Sequence, residues 1–379
     1  MAKVLQIAVI GCGRVAGHHV RALHNHTNLR LAAICDLKRE RMDTLPGTEG
    51  VPRFDNYHVM LERHPEIDVV AIATPSGMHF EHALDAVRLY RKSVVIEKPT
   101  VMRISHGDEL ARAAKENDVH VFPVFQYRFN RCVQRIRRAL QDGDLGDVVV
   151  ATVRQRWCRP QQYYDRDPWR GTYALDGGAC TNQGIHHLDM LRYLVGSVKR
   201  VNACMKTFGA RIEVEDTAVA TFEFENGALG TLEITTAARP KDFESSISVV
   251  GTRGLAMLGG WATDKLVMFS PKPEDEEAYS DSFADAYGFG HIDIYAGVYD
   301  TIVNGGSPAV RLDDGMQTIR LLHALYSSDE QGAWVDVASA GESLRLGRPD
   351  DTLGAIYRTP RPKWSTMTQA PRDVAAPRS

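Results

Sequence analysis

The sequence predicts an α/β chain: an N-terminal doubly wound parallel sheet, followed by an α+β domain with a mostly antiparallel open sheet. Three observations predict it. Short β-branched runs alternate with helical patterns over the first 125 residues, the rhythm changes after Gln126, and hairpin signals follow. The runs are LQIAVIG, LRLAAICD, DVVAIATP, KSVVIEKP and VHVFPVF, and VAGHHVRALHNH and HFEHALDAVRLY between them read as helices. After Gln126, FNRCVQRIRRALQDG reads as a helix leading into a long strand, DVVVATVRQRW. An aromatic and basic loop (158–175) comes next, then a helix carrying TNQGIHHLD (181–189). AVATFEFENGALGTLEITT reads as a hairpin turning at Asn226-Gly227, a dipeptide that accepts the positive φ of a tight turn. SISVVGTRGLAML adds strands, and helices at 291–303 and 313–327 close the domain. The acidic stretch PKPEDEEAYSDSFAD (271–285) reads as a solvated surface loop, and the Pro-rich end from Thr359 as a solvated extended tail.

Composition narrows the function. The 379 residues, 44% apolar and 25% charged, suffice for two cores. A net charge of −3 gives no general attraction to nucleic acid or an anionic membrane surface. The longest apolar runs are strand-sized, far short of a bilayer span. MAKVLQIAVIG runs straight into a strand, so no signal peptide is expected. The six cysteines are scattered without a C-x-x-C pair, which predicts free thiols in a reducing cytoplasm.

IAVIGCGRVAG (7–17) places Gly11 and Gly13 where the first strand turns into the first helix, with Arg14 and Val15 in the turn and Ala16 at the third small position. The first glycine permits the turn, and the second lets a pyrophosphate approach the backbone at the helix N-terminus. Asp36 ends the second strand, placed to accept hydrogen bonds from an adenine ribose. This is a Rossmann pattern. The charge of Asp36 repels a 2′-phosphate, which favours NAD over NADP; Lys38 and Arg39 are the residues that would instead pair one.

The fifth strand ends in Glu97-Lys98-Pro99, and ligands of an open α/β sheet lie beyond the carboxyl ends of its strands. Oxidising a secondary alcohol by hydride transfer requires removal of the hydroxyl proton and stabilisation of the developing alkoxide. Lys98 can supply charge there, and His186, with an ordinary pKa near neutrality, suits proton transfer. Adjacent helical residues point about 100° apart, so His186 and His187 do not chelate one ion together. No Cys or Glu stands nearby at zinc spacing, and no metal is expected. Asp189 shares a helix face with His186 and is expected to orient it.

Taken in order, GCGRVAG with Asp36, TPSGMH (74–79), EKP (97–99) and GGACTNQGIHHLD (177–189) resemble the glucose-fructose oxidoreductase, inositol dehydrogenase and rhizopine catabolism (Gfo/Idh/MocA) superfamily over roughly residues 5–330. The resemblance implies a Rossmann domain (1–125) and a substrate-binding and oligomerisation domain (126–340), with 341–379 as a C-terminal extension and a homodimer or homotetramer as the assembly. It adds Thr74, Pro75, His79 and Glu97 to the cofactor contacts, gives Lys98 and His186 the catalytic roles, and implies a cis Lys98–Pro99 bond. It also implies Gln126, Asn182 and His187 as substrate contacts. Many relatives carry Asp four residues before the histidine, where this chain has Asn182. Asn can orient a hydroxyl but cannot ionise. In that respect RGTYALDGGACTNQGIHHLD is most similar to the UDP-N-acetylglucosaminuronate 3-dehydrogenase branch.

The loop RQRWCRPQQYYDRDPWRGTY supports an anionic, ring-shaped ligand, with Arg154, Arg156, Arg159, Arg166 and Arg170 among Trp157, Tyr163, Tyr164 and Trp169. Guanidinium forks suit phosphate and carboxylate, and aromatic faces suit a sugar or base. Arg159, Tyr164, Trp169 and Arg170 are the expected substrate contacts. The expectation is an NAD-dependent dehydrogenase acting at C3 of a nucleotide-linked or otherwise glycosidic pyranose. Alternatives are an inositol, free-sugar or glycoside dehydrogenase and a 3-ketosugar reductase; from another class, a non-catalytic dinucleotide sensor.

Overall fold

The computed structural model describes residues 2–362, so most of the Pro-rich end lies outside the described residues. Six strands, β1 (Leu5–Ile10), β2 (Leu29–Cys35), β3 (Arg53–Phe54), β4 (Val69–Ile72), β5 (Ser93–Ile96) and β6 (Val121–Pro123), form a parallel sheet in the order β3-β2-β1-β4-β5-β6. Every residue of β4 and β5 is buried, as a parallel sheet sandwiched between helices requires. The register pairs Ile10 with Ile72 and Ile72 with Ile96. Gly11, Ala73 and Glu97 therefore leave the sheet side by side at its carboxyl edge.

The second sheet has eight strands: β7 (Val148–Arg156), β8 (Val198–Lys206), β9 (Thr217–Phe224), β10 (Leu229–Thr235), β11 (Glu244–Gly251), β12 (Leu255–Gly259), β13 (Lys265–Phe269) and β14 (Val335–Asp336). Only β7 and β10 pair in parallel. Along β9, Ala218, Ala220, Phe222 and Phe224 are buried while Val219 is exposed, the period of two that leaves one sheet face open. The helices Ile185–Val195 and Leu312–Gln331 cover the other face.

Three local expectations change. TNQGIHHLD is not one helix: Ala179–Asn182 stops and Ile185–Val195 starts anew after Gly184. A Cβ on Gly184 would come within 2.3 Å of Ile234, so close packing on the sheet fixes the break. The helix His291–Tyr299 does not simply close the second domain but packs on Ala16–His24 of the first. The acidic stretch is only partly solvated, since Asp275 is buried beside Arg135 and Arg131 donates to the Ala278 carbonyl.

Candidate active site

A cavity of about 1030 Å³ follows the carboxyl edge of the parallel sheet. Gly11, Gly13, Arg14, Val15, Asp36, Thr74, Pro75, His79, Glu97 and Lys98 all line it. Gly11 has φ +92°, and a Cβ there would lie 2.5 Å from the Ala73 carbonyl oxygen. A Cβ on Gly13 would meet nothing within 4 Å, which is the open approach a pyrophosphate needs. Asp36 accepts from the Cys12 N–H at 2.7 Å and the Lys38 N–H at 2.8 Å, joining the glycine turn to the end of β2. These residues fit a dinucleotide. The two cations next to Asp36 are already engaged: Asp167, from the loop of the second domain, pairs Lys38 at 3.3 Å and Arg41 at 3.0 Å. Arg39 does not reach the cavity; it is exposed and pairs Asp43 at 3.6 Å.

At the other end of the cavity the Lys98 ammonium donates to the Asn182 carbonyl oxygen at 2.6 Å and to Asn182 Oδ1 at 3.2 Å. Burial lowers the Lys98 pKa, and the charges of Glu97 and Asp176 oppose that shift. The Asn182 side-chain amide donates in turn to buried Asp176, whose other oxygen accepts the Gly171 N–H at 2.7 Å. Burial raises the Asp176 carboxyl to about 6, against the pull of that N–H and of Arg170. A carboxylate thus stands one hydrogen bond behind the amide that replaces the usual Asp. Asp176 lies six residues before Asn182, across a Gly-Gly turn, and no spacing rule points to it.

His186 is buried, stacks on Tyr127 at 4.4 Å between ring centroids, and its Nδ1 has no partner among the described residues. Burial first, then the nearby Lys98 charge, pushes its pKa well below the ordinary histidine value. The expected near-neutral titration is therefore displaced, and His186 is neutral at pH 7. Asp189 does not orient it. That carboxylate is committed to Arg128, at 2.6 Å through both Nε and Nη2, and to the Thr318 hydroxyl at 2.8 Å. Glu97 Oε1 lies 3.2 Å from His19 Nε2 and 2.9 Å from His291 Nε2, so one imidazole from each domain holds it. The three are near enough to receive an ion, yet both distances are those of N–H donation to one oxygen. His79 braces the same edge, its ring nitrogens 2.8 Å from the Pro99 carbonyl and 3.0 Å from that of Thr74. The Lys98–Pro99 bond is cis.

The substrate candidates divide. Trp169, Arg170 and Asn182 line the cavity with Tyr163 and Tyr287. The Arg170 guanidinium sits 4.4 Å from the Tyr163 ring centroid and 4.5 Å from that of Trp169, and donates to the Tyr163 hydroxyl at 2.6 Å. It has no carboxylate partner among the described residues, and its Nε is buried without any partner. Arg159, by contrast, is paired with Asp242 at 3.0 Å, and Arg156 with Glu233 at 2.5 Å. Tyr164 is buried against Thr236 at 3.0 Å, and His187 against Ser245 at 2.8 Å, so neither lines the cavity. Gln126 and His186 are also outside the lining, but both are buried with side-chain nitrogens unpartnered among the described residues. Sequence reasoning missed Asp167, Tyr287 and the C-terminal residues Ile356, Tyr357 and Thr359, which also line the cavity. Asp167 comes from the aromatic loop, Thr359 from the tail and Ile356 and Tyr357 from the C-terminal extension before it, while Tyr287 falls between the acidic stretch and the helix at 291.

The family model "Oxidoreductase family, NAD-binding Rossmann fold" matches residues 5–125, and the GFO/IDH/MocA C-terminal domain model matches residues 133–257. The WlbA dehydrogenase of Bordetella pertussis, solved in complex with NADH and UDP-GlcNAcA, is 32% identical with a TM-score of 0.83, covering 89% of this chain and 99% of its own. The D-glucoside 3-dehydrogenase of Escherichia coli is 30% identical over 253 residues, 60% of this chain and 69% of its own. The myo-inositol 2-dehydrogenase of Thermotoga maritima is 24% identical over 335 residues, 86% of this chain and 97% of its own.

Proposed function

The chain belongs to the GFO/IDH/MocA family of NAD-dependent sugar oxidoreductases, and on that ground we propose that it oxidises the C3 hydroxyl of a nucleotide-linked, negatively charged pyranose. The observation that carries the finer reading is Arg170, a guanidinium with no ion-pair partner among the described residues, set against two aromatic rings in the cavity that also contains Lys98 and Asn182. A positive charge without an ion pair, beside aromatic faces, suits the phosphate or carboxylate of such a substrate better than a neutral sugar. The likeness to a WlbA dehydrogenase that binds UDP-GlcNAcA with NADH supports the same reading.

Bound NAD supplies the hydride acceptor. Asn182 holds the Lys98 ammonium by two acceptors, which aims its remaining donor capacity at a substrate oxygen. The positive charge lowers the energy of an alkoxide developing there. Neutral His186 takes the hydroxyl proton as the C–H electron pair leaves as hydride and the C=O bond forms. Exposed Leu229 and Val250, flanking Val150 on the open face of the second sheet, support a homo-oligomer.

The test is NADH absorbance with UDP-sugar uronates, free sugars, glycosides and inositols, using wild type, Lys98→Met and His186→Asn. Wild type should prefer the charged nucleotide sugar. Each variant should lose about 10²–10⁴-fold in turnover, as removal of a positioned acid or base does. A wild type that prefers a neutral glycoside overturns the substrate assignment; full turnover in both variants removes them from the chemistry.

A further inference from the structure

The C-terminal segment bridges the two domains. Its first part is tied to the second domain: Arg345 pairs Asp329 at 2.6 Å, and the Gly347 N–H donates to the Tyr173 carbonyl at 2.9 Å. After the short helix Asp351–Ala355 it reaches the nucleotide-binding domain. There Arg358 pairs Glu81 at 2.8 Å, and Asn56 donates to the Pro360 carbonyl at 2.9 Å. Asn56 follows β3, and the strand order puts β2 and β3 on the opposite side of β1 from β5 and Lys98. Glu81 belongs to the helix His79–Arg88 that follows β4, while Asp167 and Arg41, paired beside Asp36, act on the Tyr357 hydroxyl, so the segment crosses to the Asp36 end of the cavity.

Between those anchors, Ile356, Tyr357 and Thr359 line the cavity wall. The Tyr357 hydroxyl and Thr359 Oγ1 are both buried; the Trp169 backbone lies beside the first and the Tyr57 hydroxyl beside the second, but among the described residues neither has a partner of full hydrogen-bonding geometry. Two buried hydroxyls with such poorly aligned neighbours on one wall are unusual, because buried polar groups are nearly always well paired. Ile356 joins Leu37, Leu45 and Pro46 in the apolar part of the same lining. Apolar surface with a few convergent polar atoms is what a purine nucleoside requires.

We propose that residues 356–359 form a binding element for the adenosine half of the cofactor, with the Tyr357 and Thr359 hydroxyls hydrogen-bonded to it when it is bound. The inference rests on the dinucleotide reading of the cavity. Because the segment is anchored on both domains, it also restrains departure of the cofactor.

The test is equilibrium binding followed by fluorescence, with NADH, with AMP as competitor, and with reduced nicotinamide mononucleotide, which lacks adenosine. The variants are Tyr357→Phe, Thr359→Val and the pair. The pair should weaken NADH and AMP by about tenfold and speed NADH release, while the mononucleotide binds as to wild type. NADH and AMP constants within about twofold of wild type in the pair overturn the proposal. So does an equal loss for the mononucleotide, which would mark a general loss of structure. A wild type that binds no NADH would instead remove the dinucleotide reading itself.

Discussion

Lys98 and Asn182 are joined twice, the ammonium donating to the Asn182 carbonyl at 2.6 Å and to its side-chain oxygen at 3.2 Å, with Asp176 accepting from the other face of that amide. The amide orientation is thereby fixed. An amide oxygen faces the cation, and the carboxylate charge acts from one residue further away.

The charge of Asp176 raises the pKa of Lys98. Removing it in Asp176→Asn should let Lys98 lose its proton at a lower pH. If the ammonium is the working form, the alkaline limb of kcat against pH moves down. Asn182→Asp should move the same limb up, because it adds a negative charge beside the ammonium. Limbs that coincide with wild type in both variants would detach this pair from Lys98, whatever happens to stability.

Cofactor choice should depend on Asp167 as well as Asp36. Asp167 neutralises Lys38 and Arg41, the cations that would otherwise meet a 2′-phosphate. Asp36→Ala should weaken NAD and relax discrimination. Asp167→Ala should strengthen NADP binding by about tenfold with NAD little changed, which is the worth of one new charge-assisted hydrogen bond. Parallel titrations with NADH and NADPH read this out, and an unchanged ratio in Asp167→Ala would rule it out.

The two arginines expected to meet substrate should behave differently. Arg170→Ala should raise KM for a UDP-sugar uronate by one to two orders of magnitude, as loss of a charge-assisted hydrogen bond of about 1.5–3 kcal/mol does, and leave a neutral glycoside nearly unaffected. Arg159→Ala leaves Asp242 without its ion-pair partner, only the Cys158 N–H at 2.6 Å remaining, so it should lower thermal stability and affect both substrates alike. Steady-state kinetics on the two substrates separate the cases; equal losses in Arg170→Ala would assign that residue to structure.

Glu215 should make stability depend on pH. It is buried beneath the helix Ala179–Asn182, accepting from the Cys180 N–H at 3.0 Å and the Tyr326 hydroxyl at 2.9 Å. Burial raises its pKa from 4.5 to about 7. Between those values the folded chain holds a proton that the unfolded chain has lost, so stability falls as pH rises through the window. The slope is about 1.4 kcal/mol per unit at most, and flat above it. Glu215→Gln should remove that slope. Urea unfolding of both proteins at pH 5, 6 and 7 gives the difference directly, and a constant difference across the three would count against it.

The order of amino acids alone specifies the parallel sheet, the glycine turn with Asp36, and the appearance of Lys98 at a strand end. Each is a local matter: buried parallel strands need apolar runs, and a glycine turn needs glycine at fixed spacing. It also carries the family resemblance, because four motifs in order survive in the linear chain. The partners of the charged groups are settled only in three dimensions. Asp189 shares a helix face with His186, but Arg128 and Thr318 take it first, since a buried carboxylate goes to the strongest donors within reach. Arg159 and Arg170 look alike in the loop, and only the approach of Asp242 distinguishes them. The tail from Thr359 reads as solvated, yet Thr359 and the residues just before it close the cavity, because anchoring at Asn56 and Glu81 pairs polar groups 304 and 277 residues apart in the chain.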